Sequence, residues 1–480
     1  MTRPTLVWFR TDLRLADHEA LAAAVERGGF VVPVFVWAPE EEAPWPPGAA
    51  GRWWLHYSLR SLAGELEAKG SRLILRRGPT EAELLKLARE TGADAVFFSR
   101  RYEPAVARRD EQLTAALHAR GITCRNFAGT TLFPPEVVRN RQGGPYRVFT
   151  PFWNACLGQI EPSTPLAEPS HLPVPHRWPE STPLEALDLL PRVPWDAGLR
   201  QTWQPGRRGA ETRLSQLLDR MAQYPRNRDR PDLVGTGRLS PHLHFGELSP
   251  RQVWHAVRTL EEKKPRRAAH DPGAQAFLRQ LGWREFAHHI LHYFPATTER
   301  PLRPEFASFP WRRDARALSA WQRGSTGFPF VDAGMRELWH TGWMHNRVRM
   351  VVASFLTKHL LLPWWAGARW FWDTLVDADL ANNSLGWQWS AGCGADAAPF
   401  FRIFNPTLQG RRFDPGGVYI RRWIPELAAL PDGLLHQPAK APPGALAPTY
   451  PGPIVDHAAA RVRALAAFAS MQAVPPCDDY

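Results

Sequence analysis

Between residue 5 and about residue 128, short β-rich runs (TLVWF, VVPVFVW, RLILRR, AVFFS, TCRNF) alternate with amphipathic segments such as RWWLHYSLRSLAGELEAKG. This alternation leaves few architectures open. Strands separated by helices run parallel, and a parallel sheet needs helices on its faces, so residues 1–130 are expected to form a Rossmann-like α/β domain. Residues 131–205, rich in Pro, Ser and short polar runs, predict an interdomain linker over the surface. From 206 to 468 the apolar period is helical, predicting an all-α domain, and 469–480 predict a tail. No G-x-G-x-x-G follows the first strand, which argues against a dinucleotide site of Rossmann type in the α/β part.

Charge narrows the partners. Lys and Arg total 59 against 47 Asp and Glu, a formal net charge of +12, and all but six of the cations are Arg. The planar guanidinium grips phosphate in a bidentate way, so a polyanion is the natural partner. A GC-rich coding bias accounts for the scarcity of Lys but not for the positive balance. Cys124, Cys156, Cys393 and Cys477 are scattered without a C-x-x-C pair, which supports neither a disulfide framework nor a Cys-based zinc site and fits a reducing cytoplasm. The N-terminus lacks the n-region and apolar core of a signal peptide, and no run of 18 apolar residues follows, so neither export nor membrane insertion is expected.

The chemistry concentrates from Trp343 to Pro406, where WMHNRVRM, DADLANNSLGWQWS and DAAPFFRIFNP crowd amide, guanidinium, carboxylate and indole groups together. On a helix, Val348, Val351, Val352, Phe355 and Leu356 share one stripe, leaving Asn346, Arg347, Arg349 and Met350 on the remaining circumference. Asp377 and Asp379 precede Asn382, Asn383, Trp387 and Trp389, so acceptors, amides and π-faces converge as a phosphate-bearing aromatic cofactor and a base would require.

These motifs resemble the C-terminal signature of the photolyase/cryptochrome family of flavoproteins. FLRQLGWREF (Phe277 to Phe286), GTGRLSPHLHFGELSP (Gly235 to Pro250) and LVWFRTDLRLADHEAL (Leu6 to Leu21) resemble it too, in the family's order, so the likeness spans nearly the whole chain. WAPEEEAPWPPGAAGRWWLHYSL (Trp37 to Leu59) is most similar to class III cyclobutane pyrimidine dimer photolyases, with class I as the other choice, and to their relatives the plant-type cryptochromes.

The resemblance implies FAD in the helical domain. It assigns Tyr224, Thr236, Gly237, Leu239 and Ser240 to the phosphates and ribityl chain, and Phe277, Gln280, Arg284, Asn346, Arg349, Phe371, Asp377, Asp379 and Asn383 to further cofactor contacts, with Asn383 opposite flavin N5. Trp283, Trp389 and Met350 are implied to hold a thymine dimer flipped from the duplex, and Arg228, Arg347 and Arg402 to meet phosphate or lesion. Trp387, Trp364 and Trp311 match the triad of indoles that carries an electron from the surface, with Trp370 and Trp372 as a side branch. Glu103 matches a carboxylate that contacts an antenna chromophore, a methenyltetrahydrofolate or a deazaflavin, in the first domain.

Each residue also has an ordinary reading. Glu103 is an exposed Glu opening a helix, Gly235 and Gly237 form a turn, and the two Asp residues cap a helix or pair with Arg347 and Arg369. His242 and His244, and His288, His289 and His292, lack the carboxylates or thiolates that would complete a metal site and read as satisfied helix and loop histidines. Two departures from the family pattern stand out. Gly237 replaces a common Ser, and Gln280 replaces a Glu that hydrogen-bonds the dimer in repair enzymes. The resulting expectation is a monomeric, cytoplasmic enzyme that repairs cyclobutane pyrimidine dimers in UV-damaged DNA by electron transfer from light-excited reduced FAD. The rivals are a cryptochrome-like photoreceptor without repair activity, favoured by Gln280, and a nucleic-acid-binding protein with a vestigial flavin pocket. A (6-4) lesion enzyme is disfavoured because Trp343-Met344-His345-Asn346 stands where a His pair is expected.

Overall fold

Strands β1 (Thr5–Trp8), β2 (Val31–Trp37), β3 (Ile74–Arg77), β4 (Ala95–Ser99) and β5 (Thr123–Phe127) coincide with the predicted runs and form one parallel sheet in the order β3-β2-β1-β4-β5. Helices α1 (Glu19–Arg27), α2 (Ala49–Ala68), α3 (Thr80–Thr91) and α4 (Pro104–His118) make the crossovers. Every residue of β1, β2 and β4 is buried, the reason these runs are continuously apolar. Pro33, in a central strand, is tolerated because pairing with β3 begins only at Val34. The coordinates, a computed structural model, describe residues 3–159, 161–262, 271–442 and 449–472. Cys477 and most of the expected tail lie outside them.

The chain divides into two units, each built from more than one stretch of sequence. The first comprises Met1–Ala222, Gly237–Pro295 and Val376–Asp379, the second Gln223–Thr236, Ala296–Leu375 and Leu380–Tyr480. In the first unit the Pro-rich stretch is not a free linker. It carries the helices Phe149–Gln159 and Ala197–Thr202. Its extended part also closes the β3 side of the sheet: Thr182 N donates to Leu75 O at 2.9 Å, Leu75 N to Ser181 Oγ at 3.0 Å, and Val31 N to Pro173 O at 2.7 Å. Both backbone groups of Leu75 are thereby engaged on the open side of β3. The long helix Pro272–Tyr293 starts where Asp271 accepts from Gly273 N, with Pro272 at the first helical position. Gly282 lies where a Cβ would strike the Trp153 ring at 2.5 Å, so the helix packs at backbone distance.

The second unit is helical. Its helices include Pro329–Thr341, Asn346–Ser354, Trp364–Thr374, Leu380–Ala391 and His457–Gln472, with a π-helical turn at Phe355–His359. Gly367 admits the Trp387 indole into the space a Cβ would fill, locking Trp364–Thr374 against Leu380–Ala391. Buried Gln388 donates to Thr297 O at 2.7 Å and Arg300 O at 2.8 Å and accepts from Leu302 N at 2.9 Å, which fastens that helix to an irregular segment. Asp332 does the same for the 326–327 turn and Tyr450: it accepts from Thr326 N at 2.7 Å, Gly327 N at 3.0 Å and the Tyr450 hydroxyl at 2.7 Å.

Candidate functional site

In the first unit, the short helix Ser240–His244, the long helix Pro272–Tyr293 and the segment Val376–Asp379 bring two carboxylates among polar partners. The Ser240 hydroxyl donates to Asp377 Oδ2 at 2.6 Å, and Asp377 is buried. Asp379 lies 3.5 Å from His244 Nδ1 and 3.6 Å from His288 Nε2. Burial alone would raise the Asp379 carboxyl, but His288, His244 and Arg284 outweigh it and hold the carboxyl well below the ordinary range. In the second unit, Arg347 Nη2 pairs with Asp229 at 3.0 Å.

His244 and His288 were therefore only partly legible as satisfied histidines. His242 bonds Glu247, and His289 accepts from Tyr146 N at 3.0 Å, as that reading requires. His244 and His288 instead face a carboxylate. The helical stripe Phe277, Gln280, Arg284 and His288 is the signal that finds His288, since three- and four-residue steps share one face. Arg284 donates to Thr130 O at 2.9 Å and pairs with Glu285 at 2.9 Å. Glu285, which sequence reasoning passed over, accepts from Leu132 N at 2.7 Å and Phe133 N at 3.1 Å.

On the same helix, Phe277 is buried and Gln280 and Trp283 half-buried. Trp283 stacks on Phe149 with ring centroids 3.9 Å apart and planes at 7°, and the Arg279 guanidinium lies 4.6 Å from the Phe149 centroid. One indole face is thus held by an aromatic support that sequence reasoning did not identify. Gly237 has room for a Ser side chain only if Leu217, 3.1 Å from the position of a Cβ, gives way slightly. Leu239 is buried beside it, while Ser240 is exposed. Glu103 opens α4, but it is not an exposed residue: it pairs with Arg101 at 2.9 Å, and Arg101 also grips Glu42 at 2.9 Å. Burial raises the Glu103 carboxyl and Arg101 more than reverses this, leaving it at about 2.

In the second unit, Asn346 is exposed at the start of its helix, and Arg347, Arg349 and Met350 are half-buried while Val348, Val351 and Val352 face the core, as the periodicity predicts. His345 Nδ1 caps this helix by accepting from Arg347 N at 3.2 Å. Arg349 donates to Met344 O at 2.7 Å. Tyr224 is buried with Arg228 5.7 Å from its ring centroid, and Thr236 is half-buried. Asn383 Nδ2 donates to Ala368 O at 3.0 Å, which leaves Oδ1 as the acceptor end. Buried Phe371 meets Trp387 edge-on at 5.0 Å. Trp389 is half-buried, and its carbonyl accepts from Ala398 N at 3.3 Å, tying in the loop that ends in exposed Arg402.

Of the expected indole triad, Trp387 and Trp364 are buried and Trp311 half-buried. Trp365, 40% exposed, touches both Trp364 (5.8 Å) and Trp311 (6.2 Å) edge-on, a contact that sequence reasoning did not anticipate. Trp370 stacks on exposed Trp339 at 5.9 Å and 6°. Trp372 is half-buried. Among the described residues no group of three or more His, Cys, Asp or Glu is placed to hold a metal ion, and no helix is long and apolar enough to cross a membrane.

Known proteins match this arrangement along the whole chain. Residues 5–171 match the DNA photolyase family model, and residues 277–470 match the FAD binding domain of DNA photolyase. The chain is 48% identical to the deoxyribodipyrimidine photo-lyase of Agrobacterium fabrum over 98% of both chains. It is 41% identical to cryptochrome-1 of Arabidopsis thaliana, covering 95% of this chain and 69% of the relative. The crystal structure of a bacterial class III photolyase from Agrobacterium tumefaciens superposes with a TM-score of 0.94 at 47% identity, covering 99% of this chain and 98% of the other. With an α/β sheet followed by a helical FAD-binding region and identity of this extent, the chain belongs to the photolyase/cryptochrome family.

Proposed function

We propose that this protein is a deoxyribodipyrimidine photo-lyase that repairs cyclobutane pyrimidine dimers in UV-damaged DNA. The observation that carries the reading is the 48% identity to a deoxyribodipyrimidine photo-lyase over 98% of both chains. Each unit carries side chains of the kind a flavin needs: the Ser240–Asp377 pair in the first, and the exposed Asn346 amide, the Arg349 cation and the Asn383 amide oxygen in the second. Tyr224, Thr236, Gly237, Leu239, Phe277, Gln280, Arg284, Phe371 and Asp379 are proposed as further contacts. Bound and reduced, FAD supplies the light-excited electron that opens the cyclobutane ring and takes it back afterwards.

The chain's own residues orient and exclude water. Phe149 braces one face of Trp283, so the other face offers a flat support to the flipped dimer, with Trp389 and Met350 as its further contacts. Gln280 hydrogen-bonds the dimer without a proton to share. Arg228, Arg347 and Arg402 neutralise phosphate, which makes binding fall with salt. Asn383, a neutral amide, keeps an acceptor at flavin N5 and delivers no proton there. Trp387, Trp364 and Trp311 carry the electron that reduces the resting cofactor. Glu103, fixed by Arg101, is proposed to contact an antenna chromophore, a methenyltetrahydrofolate or a deazaflavin.

The enzyme is proposed to act as a cytoplasmic monomer; Cys124, Cys156 and Cys393 are free thiols, as a reducing compartment allows. Gln280 and the 41% identity to a plant cryptochrome favour the second reading, a blue-light photoreceptor without repair activity. Light-dependent repair of a dimer-containing oligonucleotide separates the two.

A further inference from the structure

Lys358 lies in the π-helical turn Phe355–His359, is 1% exposed, and donates from Nζ to the carbonyl of Arg402 at 3.1 Å. The Phe400 ring centroid is 5.4 Å from the ammonium. Arg402, Cys393 and His359 interact with it electrostatically, Arg303 and Glu305 stand on the other side of Cys393, and its hydrogen bond goes to a backbone carbonyl, not to a carboxylate. A buried ammonium is expensive, and a Met of similar volume would pack there without that cost. What a Met lacks is the hydrogen bond to the backbone of Arg402 and a cation beneath the turn that presents the Arg402 guanidinium to solvent. A phosphate arriving at that turn would meet two positive charges rather than one.

We propose that Lys358 is a positioning residue for damaged DNA, holding the Phe400–Arg402 turn from beneath so that Arg402 meets a phosphate and adding a second, buried charge to that contact. The inference rests on the reading that Arg402 touches lesion DNA.

The charge is poised to respond. Burial, with the Arg402 cation, lowers the Lys358 ammonium to about 8. The other ionisable groups around it stay fixed near that pH. Burial pushes the Cys393 thiol up to about 12. Burial and neighbouring His457 hold His359 down at about 3, and His457 is itself lowered by burial. Arg463, which donates to His359 O at 2.6 Å, remains cationic. A bound phosphate favours the charged ammonium, so above its free-state pKa the complex must take up a proton and affinity falls as pH rises.

The test uses the flavin-loaded protein and a thymine-dimer oligonucleotide at fixed salt, comparing Kd at about pH 7 and about pH 9 for the parent, Lys358→Met and Lys358→Arg. The parent is expected to lose roughly tenfold in affinity across that range. The Met variant should bind roughly tenfold more weakly at the lower pH and show no pH step, whereas the Arg variant should bind like the parent there and keep its affinity at the higher pH. Flavin photoreduction should be unchanged in all three. A Met variant with the parent's affinity and pH step overturns the inference. If the Met variant does not fold, a parent without the step, or an Arg variant that retains it, overturns it equally. A flavin-loaded parent that does not distinguish dimer from undamaged DNA overturns the repair reading itself, and this inference with it.

Discussion

Ser240 donates its hydroxyl hydrogen to Oδ2 of Asp377 across 2.6 Å, joining positions 137 residues apart in the sequence. Ser240→Ala removes that donor from a buried carboxylate, a loss of about 1–3 kcal/mol. The expected result is a lower Tm and less flavin per protein after purification, read from the ratio of flavin to protein absorbance. An unchanged Tm with full flavin content would show that the pair supports neither fold nor cofactor.

Asp379 gives a pH signature. Its folded pKa lies well below 3.8, so its contribution to stability is complete above the unfolded value and is lost as pH falls towards the folded one. Asp379→Asn should therefore lower stability near neutrality and flatten the acid limb of the stability curve below about pH 4. Urea unfolding of parent and variant at several pH values checks this; parallel acid limbs would contradict it.

The Phe149–Trp283 stack predicts an effect on lesion binding rather than on the cofactor. Phe149→Leu keeps an apolar side chain but removes the ring that braces the indole. Dimer affinity should fall by roughly threefold to tenfold, with flavin content and photoreduction unchanged. Titration of a dimer oligonucleotide against both proteins measures it, and equal affinities would mean that Trp283 needs no brace.

Electron supply predicts a different division. Trp365 touches both Trp364 and Trp311 and is itself 40% exposed, so Trp365→Phe should slow photoreduction less than Trp364→Phe does. Repair by chemically reduced protein should be the same for both variants. Equal photoreduction rates for parent and Trp365→Phe would remove Trp365 from the route.

Strands β1, β2 and β4 were legible because they are buried along their whole length, and burial on both faces writes an unbroken apolar run into the chain. The sorting of Val348, Val351 and Val352 from Asn346 and Arg349 was legible for a similar reason, a helical period with one packed side. The partners of Asp377 and Asp379 were not, because Ser240, His244 and His288 approach from distant segments and leave no local pattern. The same holds for the Lys358 contact with Arg402 and for Phe149 behind Trp283. The Pro-rich stretch read as a linker because extended backbone that closes a sheet edge has no sustained period of its own.

Photorepair tests the central claim most directly. Purified, photoreduced protein is mixed with a thymine-dimer oligonucleotide under blue light, beside a dark control and a Gln280→Glu variant, and recovery of thymine absorbance is followed. The account predicts light-dependent recovery by the parent, faster in the Glu variant because a carboxyl can share a proton with the dimer. A flavin that photoreduces while the dimers persist in the parent would contradict it and favour the photoreceptor.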